Sequence, residues 1–233
     1  MTPREAIPKS WTDHLTDAPC GLGLDLATSD KGTSNPSSLA VTQREGRIYK
    51  ERLIVSWKTA DPDVTTAITK MVIEDIIELN LNIRRLAIDA SNEVFFARQL
   101  KKALRHLCSC VLVKGGEKLK HEGEEMDAKT LIGHIYVNAI EDGQVELPIG
   151  SFIYDDHRLV KSDRGSFQTD TGKNGQHGDT FDAGKLSIWA LIKGSGKVEA
   201  FAVGPGSKSK PLRKGLFGSL RDRFSRRTNQ LNT

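Results

Sequence analysis

A mixed α/β sheet with helices on its faces is predicted by three observations. Short apolar segments repeat first at a period of two and later at helical spacing. The first strand signal is followed by a hairpin signal, so the leading strands run antiparallel. Beyond the hairpin, strand and helix segments alternate, which sets the later strands parallel to their neighbours. The 233 residues, 37% hydrophobic and 27% charged, have an ordinary globular composition. That length suits one large domain or two small ones.

Residues 1–19 carry Pro3, Pro8 and Pro19 without a clear pattern and are expected to form a lead-in or linker. Residues 21–27 alternate as a strand: Leu22, Leu24 and Leu26 take one face, Gly23, Asp25 and Ala27 the other. A polar loop spans 28–37. Residues 38–43 and 47–57 are two β-rich stretches around Arg44-Glu45-Gly46, a hairpin with glycine in its turn. Between 63 and 80 the period changes. Val64, Ala67, Ile68, Met71, Val72, Ile76 and Leu79 fall on one helical face, with Asp63 as the expected N-cap.

Residues 84–91 return to strand alternation, with Ala87, Asp89 and Ser91 on one side. Ser91 or Asn92 is expected to cap a second helix striped by Phe96, Leu100, Ala103, Leu104 and Leu107. Residues 108–113 form a short apolar strand, residues 117–126 a charged loop, and residues 127–141 a helix. A weak strand signal at 145–153 is interrupted by Pro148, and residues 161–178 are polar and rich in turn formers. A last helix of about four turns starts near Asp179. The expected division is a lead-in at 1–19, a domain at 20–195, and a Gly-, Ser-, Lys- and Arg-rich tail at 196–233.

Three cysteines, Cys20, Cys108 and Cys110, are too few and odd in number for a disulfide framework. No Cys or His pair stands at zinc-ligand spacing. No apolar run approaches the roughly 18 residues a membrane span needs, and the first ten residues lack a secretory h-region. A cytosolic chain without a membrane partner is expected. The net charge of +4 is uneven: residues 207–233 hold eight basic residues and one acid, leaving the preceding body slightly acidic. Such a tail suits an anionic partner such as DNA; a solvated terminus is the alternative.

Asp25 and Asp89 each interrupt an apolar strand, where an ionised carboxylate is costly unless paired. On adjacent parallel strands both would emerge on one face at one level, where a divalent cation would offset their charge. A third acidic cluster, His177-Gly178-Asp179-Thr180-Phe181-Asp182-Ala183, puts Asp179 and Asp182 on one face of a helix start. Small Ala183 and Gly184 would let that helix approach the sheet. Oxygen-only ligands from two strands and a helix suit Mg²⁺ or Mn²⁺, and two such ions would support phosphodiester cleavage. Each residue also has an ordinary role available: Asp25 as a strand-end acceptor, Asp89 as a turn or helix cap, Asp179 as an N-cap, His177 as a solvated loop residue.

The motifs Gly23-Leu24-Asp25-Leu26-Ala27, Ala87-Ile88-Asp89-Ala90-Ser91-Asn92 and 177–186 (His-Gly-Asp-Thr-Phe-Asp-Ala-Gly-Lys-Leu) resemble those of the nuclease domain of phage large terminase subunits. That resemblance covers about residues 20–195. It implies an RNase H-like fold of the RuvC-type superfamily. It also implies a metal-binding triad of Asp25, Asp89 and Asp182, with Asp179 and His177 as auxiliary ligands or proton carriers. The implied activity is Mg²⁺- or Mn²⁺-dependent endonuclease cleavage, with two ions, of concatemeric double-stranded viral DNA during genome packaging in the host cytoplasm. The implied partners are the portal protein, the small terminase subunit and an ATPase motor domain.

No Walker A motif is present, because Gly194-Ser195-Gly196-Lys197 is followed by Val198. The chain is therefore expected to be an isolated or separately encoded nuclease domain. Lys114, Lys118 and Lys120 in one loop, and Lys161, Arg164 and Lys173 in another, are candidate phosphate contacts at the carboxylate edge. Solvated loop cations are their alternative. A RuvC-like Holliday-junction resolvase and a noncatalytic DNA- or portal-docking module remain alternative readings. An actin-like kinase fold lacks its Gly-rich phosphate segment here.

Overall fold

In the computed structural model the chain is described over residues 2–28, 34–121, 124–163, 166–172 and 176–192. The basic tail, Arg164 and Lys173 lie outside the described residues. Cys20–Asp25 (β1), Ser37–Glu45 (β2) and Ile48–Trp57 (β3) pair antiparallel. After the helix Pro62–Glu78 (α1), Ile83–Asp89 (β4) returns parallel to β1. The helix Val94–Leu104 (α2) then leads to Cys110–Val113 (β5), parallel to β4. With the short Val145–Glu146 (β8) the sheet order is β5-β4-β1-β2-β3-β8. This is the mixed sheet expected from the sequence: β1, β2 and β3 run antiparallel, and β4 and β5 run parallel to β1.

The alternation of β1 explains both faces of the sheet. Leu22 and Leu24 join Leu86 and Ile88 of β4 in a core cluster roofed by α1 and α2. From α1 come Ile68, Val72, Ile73 and Ile76, all fully buried. Each such side chain contributes about 1.5–3 kcal/mol by burial. Gly21 and Gly23 face the other way, against the helix Asp179–Leu191 (α5). A bulge on β3 exchanges its faces: Val41 pairs with Leu53 but Thr42 pairs with Glu51, leaving Arg52 as the extra residue. Leu53, Val55 and Trp57 therefore sit in the α1 cluster, while Tyr49 and Glu51 turn toward α5.

Several expectations are corrected. Within residues 1–19, two 3-10 turns bring Ile7 and Trp11 into the core, a contact the sequence pattern did not mark. The N-cap of α1 is Asp61, accepting from Asp63 N, with Pro62 at the first helical position where its missing N–H costs nothing. Glu93, not Ser91 or Asn92, precedes α2, without a side-chain cap. The supposed loop at 117–126 contains a hairpin, Lys118–His121 (β6) with Glu124–Asp127 (β7). Its paired Leu119 and Met126 pack on the core below the helix Ala128–Glu141 (α3). Residues 145–153 are mostly not strand: β8 is two residues long, and Ser151 opens the helix Ser151–Arg158 (α4). The stretch after it holds a second hairpin, Val160–Asp163 (β9) and Ser166–Thr169 (β10). Phe167 of that hairpin fills the space left by Gly133 of α3. Among the described residues no helix is long and apolar enough to cross a membrane.

Candidate metal centre

Leu24 of β1 pairs in register with Ile88 of β4. Asp25 and Asp89 are the next residues on their strands, so the two carboxylates leave neighbouring parallel strands at one level. Both belong to the face that carries Gly23 and Ala87, the face covered by α5. Asp25 and Asp89 are half-buried. Asp89 Oδ1 accepts from Ser91 N at 2.7 Å, holding the turn after β4.

The third acid comes from α5. This helix lies so close to β1 that a Cβ on Gly23 would stand 2.1 Å from Ala183 O and 2.3 Å from Ser187 N. Thr42 Oγ1 and Ser187 Oγ, 2.5 Å apart, tie α5 to β2. Arg85 donates to the carbonyls of Ala190 and Ile192 and anchors its C-terminal end. Small residues at 183 and 184 permit this approach, as the sequence suggested. The helix start thereby holds Asp182 and Asp179 over the ends of β1 and β4.

Asp25 lies within electrostatic reach of the other three acids. Burial pushes the Asp25 carboxyl well above the usual carboxylate range, and Asp182, Asp89 and Asp179 push it the same way. Lys185 opposes them. Asp179, almost fully buried, is pushed up to about 7, first by desolvation and then by Asp156 and Asp182. The donor set is all carboxylate oxygen, the chemistry Mg²⁺ and Mn²⁺ take, and its surplus negative charge is what a divalent ion would neutralise. As placed, no group of three His, Cys, Asp or Glu side chains among the described residues stands in position to hold an ion. Asp182 instead meets Lys185 Nζ at 2.5 Å.

Asp179 is not the cap of α5. Gly178 is, at φ 78°, a left-handed conformation suited to glycine. The capping oxygens come from Asp156 of α4, fully buried, which accepts from Gly178 N (2.8 Å), Thr180 N (2.8 Å) and Thr180 Oγ1 (2.6 Å). A carboxylate at a helix N-terminus satisfies its orphan N–H groups and complements the helix dipole. His177 stands just before this turn, half-buried, with Thr171 Oγ1 3.5 Å from its Nδ1.

Sequence reasoning missed Asp156 and its neighbours. His157 Nε2 lies 2.8 Å from Tyr136 OH, which lies 2.6 Å from Glu51 Oε1, while His157 Nδ1 meets Ile153 O at 2.9 Å. Burial pushes Glu51 up to about 8 and holds His157 below its ordinary value. This buried chain packs against Gly184, where a Cβ would meet Tyr136 OH at 2.5 Å. It fixes the first turns of α5 from the side away from Asp25. Glu51 gave one usable signal, an acid in phase with the buried residues of β3.

The proposed cation contacts are spread out. Lys114 directly follows Val113, which pairs with Asp89, and is exposed at the carboxylate edge. Lys118 and Lys120 are exposed on β6. Lys161 is exposed on β9, 2.5 Å from Asp170 Oδ2.

No protein-family model and no curated protein matches the sequence. Solved structures do match in shape. The large terminase of a thermophilic bacteriophage, in its ADP complex, aligns at 13% identity and a TM-score of 0.53, over 77% of this chain and 41% of that one. The chain has the fold of that part of a large terminase. A second crystal form of the same phage protein aligns at 14% identity and a TM-score of 0.52, over 76% and 40%. The chain thus spans about two fifths of the length of that phage terminase. The human cytomegalovirus terminase nuclease domain aligns at 11% identity, over 82% of this chain and 94% of that one, with a TM-score of 0.48.

Proposed function

We propose that this terminase-like chain is a divalent-metal-dependent endonuclease. It cuts concatemeric double-stranded DNA while a viral genome is packaged in the host cytoplasm, alongside an ATPase motor, a portal protein and a small terminase subunit. The observation that carries this reading is that Asp25 and Asp89 each follow the paired Leu24 and Ile88 of neighbouring parallel strands, with Asp182 in the first turn of a helix seated on Gly23. The fold shared with the thermophilic phage large terminase supports it.

Asp25, Asp89 and Asp182 are the residues that would hold the metal, with Asp179 as a further ligand. Bound Mg²⁺ or Mn²⁺, as a pair of ions, would supply an acidified water and charge stabilisation for in-line phosphodiester hydrolysis. The protein's own part is positional. The strands fix two carboxylates at one level, and α5, buried along nearly its whole length, fixes the third. Asp179, whose carboxyl is pushed up to about 7, would serve as a ligand or proton carrier near neutral pH, and His177 would be a second auxiliary ligand or proton carrier. Exposed Lys114, Lys118, Lys120 and Lys161, with Arg164, Lys173 and the basic tail, would hold DNA phosphates without reading sequence.

The test is nicking of supercoiled plasmid by the full chain in Mg²⁺ or Mn²⁺. Asp25→Ala, Asp89→Ala and Asp182→Ala should each abolish cleavage while the circular-dichroism spectrum is retained. Undiminished cleavage by Asp25→Ala overturns the assignment.

A further inference from the structure

A buried ammonium is uncommon because it loses its hydration, and it persists only where something pairs with it. Lys185 of α5 is such a group, 8% exposed. Its Nζ lies 2.5 Å from Asp182 Oδ1, one helical turn earlier, and 5.8 Å from the centroid of the Phe181 ring. A pair at this spacing on a solvated helix is worth a few tenths of a kcal/mol. Here the setting differs, because the Asp182 carboxylate also faces Asp25 and Asp179. The same lysine offsets the repulsion those acids exert on Asp25. The site therefore already contains a cation, contributed by the chain itself. Asp182 is engaged with that cation, and among the described residues no three His, Cys, Asp or Glu side chains stand in position to hold an ion.

We infer that Lys185 is a resident counter-charge that holds Asp182 out of the metal site, so that metal binding is an exchange in which Asp182 leaves the Lys185 ammonium for the incoming ion. Lys185 is thus a positioning residue, acting through Asp182. This inference rests on the metal-dependent reading above. The exchange makes metal-free protein tolerable at a cluster of four carboxylates and lowers the apparent metal affinity, since every ion must first displace the lysine. Removing the ammonium should have two opposite effects. The metal-free protein loses stability, because the carboxylates are left without their internal cation. Metal affinity rises, because the competitor is gone. A lysine with only a packing role would move both downward together.

The experiment is calorimetric titration of Mn²⁺ into the full chain, stripped of metal with chelator and exchanged into buffer, for the wild type, Lys185→Met and Lys185→Arg. The metal-free melting temperature of each is recorded alongside. The expected result is a lower metal-free melting temperature for Lys185→Met with roughly tenfold tighter Mn²⁺ binding. Lys185→Arg, which keeps the charge, stays within about threefold of wild type. If Lys185→Met does not fold, Lys185→Gln makes the same comparison. Unchanged or weaker Mn²⁺ binding by the neutral variant, with binding by wild type intact, overturns the exchange and leaves the metal reading standing. Absence of Mn²⁺ binding by wild type overturns both.

Discussion

Gly23 of β1 and Ala183 of α5 meet backbone to backbone, with the space for a Gly23 Cβ lying 2.1 Å from the Ala183 carbonyl oxygen. Asp25 is two residues beyond Gly23, and Asp182 immediately precedes Ala183. One steric contact therefore sets the distance between a strand acid and a helix acid. The neighbouring atoms are backbone on a buried helix and cannot swing aside. Gly23→Ala should lift α5 and destabilise the protein by about 3 kcal/mol or more, as overpacking of a fixed core does. Where the protein still folds, plasmid nicking should fall by roughly 100-fold, the usual cost of misplacing reacting groups by about 1 Å. Urea denaturation and a cleavage time course check both.

Asp156→Ala tests the cap on α5. The variant strips Gly178 N, Thr180 N and Thr180 Oγ1 of their shared buried acceptor. Charge-assisted bonds of this kind and helix caps together suggest a loss of about 2–4 kcal/mol. Cleavage should fall as well, because the turn that frays carries Asp179 and Asp182. A variant with wild-type stability by urea denaturation would show that the cap is dispensable.

Glu51→Gln should change the pH dependence of stability. Burial raises the folded carboxyl to about 8 from 4.5. Between those values the native state keeps a proton that the unfolded chain has released. Stability therefore falls as pH rises through this window, by as much as about 1.4 kcal/mol per pH unit. Glutamine carries no such proton and can still hydrogen-bond Tyr136. The variant should match wild type near pH 4.5 and exceed it by roughly 10 °C in melting temperature at pH 8. Parallel melting profiles at both pH values would contradict the buried, protonated state.

Asp25→Asn separates stability from activity. Desolvation and three neighbouring carboxylates disfavour the Asp25 charge, so its neutral isostere should stabilise metal-free protein at pH 7. A gain on the order of 1 kcal/mol corresponds to roughly 2–4 °C at this chain length. It should shrink as pH falls into the ordinary carboxylate range, where the wild-type group is neutral in both states. Thermal melts in chelator, paired with plasmid assays in Mn²⁺, would show a more stable and inactive variant. This is the opposite of what a structural aspartate would give.

The strand acids were legible because β1 and β4 alternate strictly. Leucines in one phase and Gly23, Asp25, Ala87 and Asp89 in the other mark a face that must admit something close. Ala183 and Gly184 carried the same message from the helix side. The cap of α5 was not legible, because Asp156 acts 22 residues away from Gly178 through a tertiary contact. Its helix was hidden too: Pro148 and Gly150 precede α4, and its apolar Phe152 and Tyr154 face solvent, which blurs the helical stripe. The two hairpins at 118–127 and 160–169 were obscured because few of their described residues are buried, with Leu119, Met126 and Phe167 packing against the core. Asp61 rather than Asp63 caps α1 because Pro62, which suits a first helical position, starts the helix one residue earlier than the apolar stripe suggests.

The most direct measurement is the anomalous difference density of a crystal of the chain soaked in Mn²⁺. The account predicts manganese peaks bound by carboxylate oxygens of Asp25, Asp89 and Asp182, with the Asp182 side chain turned away from Lys185. Density without manganese among these three carboxylates, in a crystal where they are open to solvent and Asp182 still pairs with Lys185, would contradict it.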